Sequence, residues 1–195
     1  ILNHISNIND FDFYSDDGNL LIEINDSTDS FKINPWLPSS SYKVEKIIIS
    51  GNQEYIIEKI LNSVGIKHKL IWGDDSYSAT PFNDLYIIDG YLGEINITQS
   101  ADFTGAGVND VIYFKNDTQY SDLDLEVDGS NVIIKTLNGV GTITLTNWLK
   151  HDSDGWNPVD TIRLSSGDEY SIKDIVTEKI DENVIHGTPY EDNLY

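Results

Sequence analysis

The 195-residue chain has no cysteine, so neither disulfides nor thiolate zinc sites are possible. That absence suits a secreted protein that does without disulfides. Basic residues are scarce: 12 Lys and Arg stand against 33 Asp and Glu, a formal net charge of -21. Such a surface repels nucleic-acid phosphates and anionic membranes, and neither is expected as a partner. No apolar run reaches the roughly 20 residues of a membrane span. No charged n-region followed by an apolar stretch opens the chain, so no signal peptide is visible. With no methionine at position 1 either, we read the chain as a piece cut from a longer protein.

Catalytic signatures are missing as well. His4, His68, His151 and His186 are scattered, and neither a G-x-S-x-G elbow nor an H-E-x-x-H pair occurs. The glycine-rich segments lack the lysine of a phosphate-cradling loop. Carboxylates are too many for one pair to be singled out for glycoside hydrolysis. We expect no catalysis within this chain.

What the chain does have is enough apolar content, 39% with 11% aromatic, to build a core, and an internal repeat that organises it. DFDFYSDDGNLLIEI from Asp10 returns as DLDLEVDGSNVIIKT from Asp122, an offset of 112. FKINPWL from Phe31 returns as ITLTNWL from Ile143 at the same offset, aligning Trp36 with Trp148. VEKIIISGNQEYIIEKI from Val44 returns as VDTIRLSSGDEYSIKDI from Val159 at offset 115, the extra residues falling in HDSDGWN. We read this as a duplication.

Each copy reads as β-structure. Phe11 and Phe13 alternate with Asp10 and Asp12, and Leu123 and Leu125 with Asp122 and Asp124, which puts apolar and acidic side chains on opposite faces. Asp17-Gly18 and Asp128-Gly129 supply hairpin turns. Two further strands run through Ile22 and Ile33 and through Ile134 and Leu145, and a fourth ends at Ile49 or Leu164. Ile57, Ile60 and Leu61, like Ile172, Ile175 and Val176, have the spacing of a short helix. The expected fold is all-β and mostly antiparallel: two homologous β-meander modules with β-roll-like turns and short helical turns. We place the modules at 1–68 and 115–182, a β-roll-like connection at 69–114, and the start of a further roll at 183–195.

Between and after the copies lie WGDDSYSATPFNDLYI, FTGAGVNDVIYF and the closing GTPYEDNLY, all close to the glycine- and aspartate-bearing nonapeptide of calcium-binding β-rolls. The NDVIYF entry, the SDLDLEVDGSNVII hairpin, the NWL corner and the ending together resemble the haemolysin-type calcium-binding related domain found beside RTX (repeats-in-toxin) nonapeptides. The first copy, Asp10 to Ile60, looks like a more diverged example. The resemblance implies a non-catalytic structural module of a secreted bacterial protein (a toxin, adhesin or exported enzyme), leaving the cell by one-step type I secretion. It would fold outside the cell, where calcium abounds, and cap or space β-roll blocks of the same parent chain. Where the pattern departs, Val108 and Tyr190 replace roll glycines and Glu191 the usual asparagine.

Calcium takes about six to eight oxygen ligands from carboxylates and carbonyls. On that chemistry Gly105, Gly107, Asn109 and Asp110 are candidates, as are Gly187 and Asp192, alongside the plain reading of turns that cap a roll. Asp152 and Asp154, followed by Gly155, echo the start of a calcium loop, but no glutamate closes it, so a polar turn is the simpler reading. Trp36 and Trp148, each followed by leucine at a strand end, read as core anchors. Trp72 and Trp156 have no counterpart in the other copy and are candidates for surface contact, which leaves a host or surface glycan as the alternative ligand.

Overall fold

The computed structural model describes residues 7–16, 18–34, 46–49, 53–71, 76–98, 109–149 and 159–182. The first half begins with a 3-10 turn at Ile8–Asp10, then β1 (Phe11–Asp16), β2 (Asn19–Ile24), β3 (Ser30–Ile33), β4 (Lys46–Ile49), β5 (Gln53–Ile56) and α1 (Ile57–Val64). Four strands follow: β6 (Ile66–Leu70), β7 (Ser76–Ser78), β8 (Asp84–Ile88), β9 (Gly93–Thr98). After β10 (Val111–Phe114) the opening order returns: a 3-10 turn at Tyr120–Asp122, β11 (Leu123–Asp128), β12 (Asn131–Thr136), β13 (Gly141–Thr146), β14 (Thr161–Leu164), β15 (Glu169–Ser171) and α2 (Ile172–Glu182).

The hairpin registers match residue for residue. Phe11 faces Ile24 and Phe13 faces Ile22 across β1 and β2, as Leu123 faces Thr136 and Leu125 faces Ile134 across β11 and β12, every partner shifted by 112. Likewise Phe31 lies opposite Ile22, and Ile143 opposite Ile134. Apolar alternation fixes this register, because a slip of one residue would turn each core side chain to solvent. Both 3-10 turns carry the same acidic capping box, with Asp10 or Asp122 accepting from the backbone N–H of Asn7 or Gln119. Both expected helices form. Each buries the face its spacing marks out: Ile57, Ile60 and Leu61 in α1, and Ile172, Ile175 and Val176 in α2.

Strands dominate the fold, but the sheets are mixed where mostly antiparallel pairing is expected from the sequence. Of the twelve strand pairs among the described residues, six are parallel. One sheet has the order β15-β14-β10-β8-β6-β1-β2-β3, a second β11-β12-β13-β9-β7, and β4 pairs with β5 as a separate ribbon. The chain alternates between the two large sheets: β7 in the second, β8 in the first, β9 in the second, β10 in the first, then β13 in the second and β14 in the first. Within each sheet these strands pair with one another in parallel, β7 with β9 and β9 with β13, β8 with β10 and β10 with β14, which makes the centre a two-sheet β-roll. The segment read from sequence as a β-roll-like connection, 69–114, thus supplies β7 to β10.

Between the sheets lies the larger core. Tyr86, Ile88, Ile112, Phe114 and Ile162 from one sheet meet Ile95, Ile97, Ile143, Leu145, Val132 and Ile134 from the other. Trp148, 1% exposed, closes one end, and its Nε1–H donates to the Val159 carbonyl at 2.9 Å. That bond ties the end of β13 to the residues just ahead of β14, and supports the reading of Trp148 as a core anchor. A second core packs Phe11, Phe13, Leu20, Ile22 and Ile24 against Ile49, Ile57, Leu61, Ile66 and Phe82. Only one register pair, Tyr14 with Lys67, joins β1 to β6. On its outer face a polar seam backs it: Lys67 Nζ reaches Asp12 Oδ1 at 2.6 Å, and Lys69 lies 4.1 Å above the Tyr14 ring while pairing with Glu23.

Candidate functional site

The chemistry of the described residues concentrates at one edge of the roll, where the inner parallel strands begin. Asp84 opens β8, Asp110 immediately precedes β10 and Asp160 immediately precedes β14. Since β8, β10 and β14 are paired in parallel without stagger, Val111 opposite both Leu85 and Thr161, the three carboxyls form one row across the sheet. The row is hydrogen-bonded from strand to strand. The Asp84 N–H donates to Asp110 Oδ1 at 2.8 Å, and the Asp110 N–H donates to Asp160 Oδ2, also at 2.8 Å. The Asp110 carbonyl accepts in turn from the N–H groups of Asp160 and Thr161. Each aspartate therefore satisfies a backbone donor in the neighbouring turn, which a strand entering a sheet from a loop otherwise leaves to solvent.

Asp84 is the most fully satisfied member of the row. Its Oδ2 accepts from the Thr80 N–H at 2.6 Å, and its Oδ1 accepts from the Thr80 hydroxyl at 2.8 Å and lies 2.8 Å from His68 Nε2. His68 projects from β6 opposite Tyr86, 2% exposed, and its ring stacks on Tyr86 at 4.6 Å. Gly65 permits the approach of this layer: its φ is +78°, and a Cβ there would lie 2.5 Å from the Asn83 carbonyl oxygen.

Asp110 is 0% exposed, and its Oδ2 has no hydrogen-bond partner; the buried Tyr86 hydroxyl also lacks one. Burial, reinforced by the Asp84 carboxyl beside it, pushes the Asp110 pKa up to about 10, so the group is neutral at physiological pH. Burial also raises Asp160, and burial with the two neighbouring carboxyls raises Tyr86 well above the ordinary phenol value. The arrangement can hold strands in register and hold a proton. Among the described residues, nothing around it forms a nucleophile–base pair open to solvent.

Of the eight metal candidates drawn from the sequence, only Asn109 and Asp110 fall among the described residues: Asn109 is exposed and Asp110 is buried beside it. Gly105, Gly107, Asp152, Asp154, Gly187 and Asp192 lie outside them, as do Trp36, Trp72 and Trp156. Among the described residues no group of three or more His, Asp or Glu side chains is arranged to hold a metal ion. None of their helices is long and apolar enough to cross a membrane. Sequence reasoning missed Asp84, Asp160, His68 and Thr80. The signal for the two aspartates was present: NDLYI, NDVIYF and VDTIRL place an aspartate at the same distance ahead of an inward-facing residue. His68 carried no local mark, since its partner is 16 residues away.

The described residues thus form a two-sheet roll with an aspartate at, or immediately before, the head of β8, β10 and β14. In the family comparison, the model of the haemolysin-type calcium binding protein related domain matches residues 19–54. The match runs from β2 through β4 into β5, within the segment that the sequence reading takes as the first and more diverged of two copies. It covers well under half of the chain. No curated protein and no solved structure matches the chain.

Proposed function

We propose that this chain is a non-catalytic, calcium-associated structural module of a secreted RTX-type protein, built from two diverged copies of one unit and serving to cap or space β-roll turns. The observation that carries the reading is the alternation of β7, β8, β9, β10, β13 and β14 between two sheets, with parallel pairing among them in each. The family match over residues 19–54 adds to it, because that family is described by calcium binding and is not a catalytic one. Secretion and folding outside the cell follow from the same reading, as does the assignment of 1–68 and 115–182 to the two copies.

Calcium is the ion this reading implies, and the described residues alone do not fit it. Asp110 offers a single oxygen, Oδ2, on a neutral carboxyl, whereas calcium draws on about six to eight oxygens and favours ionised ones. Asp84 has both oxygens engaged by His68 and Thr80. We therefore assign the aspartate row to strand registration. The calcium expectation rests on Gly105 and Gly107, Asp152 and Asp154, and Gly187 and Asp192. Calorimetric titration with calcium and, separately, magnesium tests it. Binding of calcium at ~10⁻⁴ to 10⁻³ M, the range of extracellular sites, is the expected outcome. Heats no larger than those of dilution would remove calcium from the account.

A further inference from the structure

Where the two halves should match, they differ in how well β3 and β4 are covered. Phe31 on β3 corresponds to Ile143 on β13, yet Phe31 is 43% exposed and Ile143 is fully buried. Ile33 and Ile47 are only partly buried, while their counterparts Leu145 and Ile162 are 0% exposed. The residues are on the core face in both halves, because Phe31 lies opposite the buried Ile22 as Ile143 lies opposite the buried Ile134. What covers the second set is identifiable. Ile143 and Leu145 pair in parallel with Ile95 and Ile97 of β9, and Ile162 and Leu164 with Ile112 and Phe114 of β10. β13 and β14 are thus seated on the roll turn β9–β10 that precedes them in the chain, and no described strand sits in that place beside β3 and β4.

We propose that β3 and β4 form a stacking surface for one further turn of parallel β-roll, of the β9–β10 kind and from the same polypeptide, lying ahead of them as β9–β10 lies ahead of β13–β14. This rests on the reading of the two halves as copies. The register is carried over with it: the incoming strands place an Ile95-like and an Ile97-like residue opposite Phe31 and Ile33, and an Ile112-like residue opposite Ile47. An apolar face that is uncovered at the very positions its twin buries is more specific than scattered surface hydrophobics, which are ordinary. β3 also ends the eight-stranded sheet, so its outer backbone groups are available for pairing among the described strands.

The offset of 112 aligns Phe114 with Leu2, so the test is a chain in which residues 90–114 are repeated directly ahead of Asn3, in place of Ile1 and Leu2. Amide hydrogen exchange at Lys32, whose N–H points away from β2 in the β2–β3 register, is expected to slow at least tenfold on this extension, both in calcium and in chelator. Phe31→Ser, or Ile95→Asp with Ile97→Asp in the added turn alone, is expected to abolish the slowing. Unchanged exchange in a folded, monomeric extended chain would overturn the proposal. So would self-association of the original chain that Phe31→Ser abolishes, since the surface would then belong to a second copy. Should the extended chain not fold, Phe31→Ser in the original chain still decides: its folding equilibrium is expected to change less than threefold, and a loss beyond tenfold would mean that Phe31 is already covered. Slowing of equal size in calcium and in chelator supports this proposal whatever the calorimetric titration finds, so the two readings fail separately.

Discussion

Replacing Asp110 by asparagine isolates the buried aspartate row. Asparagine keeps an oxygen for the Asp84 N–H and resembles the neutral acid in shape, but it cannot ionise. In the native chain the Asp110 pKa is about 10, against roughly 3.9 for an unfolded aspartate. Between those values the folded state holds a proton that the unfolded state has released. Stability from this group is therefore complete below pH ~4 and is lost as pH rises towards the folded pKa. One proton corresponds to at most about 1.4 kcal/mol per pH unit, so the stability of Asp110→Asn relative to the parent should rise by roughly 2–3 kcal/mol between pH 6 and pH 8. Urea unfolding at a series of pH values, with the difference taken at each pH, cancels the background repulsion of a chain with net charge -21. Asp110→Ala titrates no more than Asp110→Asn but strands the Asp84 N–H, so it should lie about 1–3 kcal/mol below Asp110→Asn at every pH. Parallel pH profiles for Asp110→Asn and the parent would refute the argument, since Asp110 would then be ionised and otherwise compensated.

Three other substitutions probe the fold. Trp148→Ala should cost ~3–5 kcal/mol in urea unfolding, because it empties a fully enclosed site and frees the Val159 carbonyl; a loss under 1 kcal/mol would contradict the anchor role. Gly65→Ala should lower the melting temperature, since the positive φ and the Asn83 carbonyl both oppose a Cβ; an unchanged melt would show that the turn relaxes freely. Lys67→Ala should cost about 1 kcal/mol in low salt and less in 1 M salt, as the seam between β1 and β6 loses its partly shielded pair with Asp12; a salt-independent loss would point to packing of the lysine stem instead.

The parts of the fold legible in the sequence are those set by local pattern. Alternation around Phe11 and Leu123, the Asp-Gly turns and the helical spacing of Ile57 and Ile172 all depend on neighbours within a few residues, and the repeat doubled each signal. Roll-like turns over 69–114 were expected from the nonapeptide pattern, but the parallel pairing was not legible, because pairing of β8 with β10 and of β10 with β14 joins residues 26 and 50 apart, as the Asp84–Asp110 and Asp110–Asp160 bonds do. LYII and VIYF name no partner, and glycine and asparagine around them read as connection. The same holds for the aspartate row. Asp110 draws attention as a calcium-type ligand by its place in a nonapeptide, whereas its burial and raised pKa come from Asp84 and the core, which only the three-dimensional arrangement brings to it.

Thermal melting of the 195-residue chain in calcium and in chelator, at matched ionic strength, tests the central claim most directly. An ion at about one hundred times its dissociation constant adds roughly 2.7 kcal/mol per site, which for a chain of this size raises the melting temperature by about 5–10 °C. The account expects that rise with calcium and a smaller one with magnesium at equal concentration. Superimposable melts in calcium and chelator would contradict it.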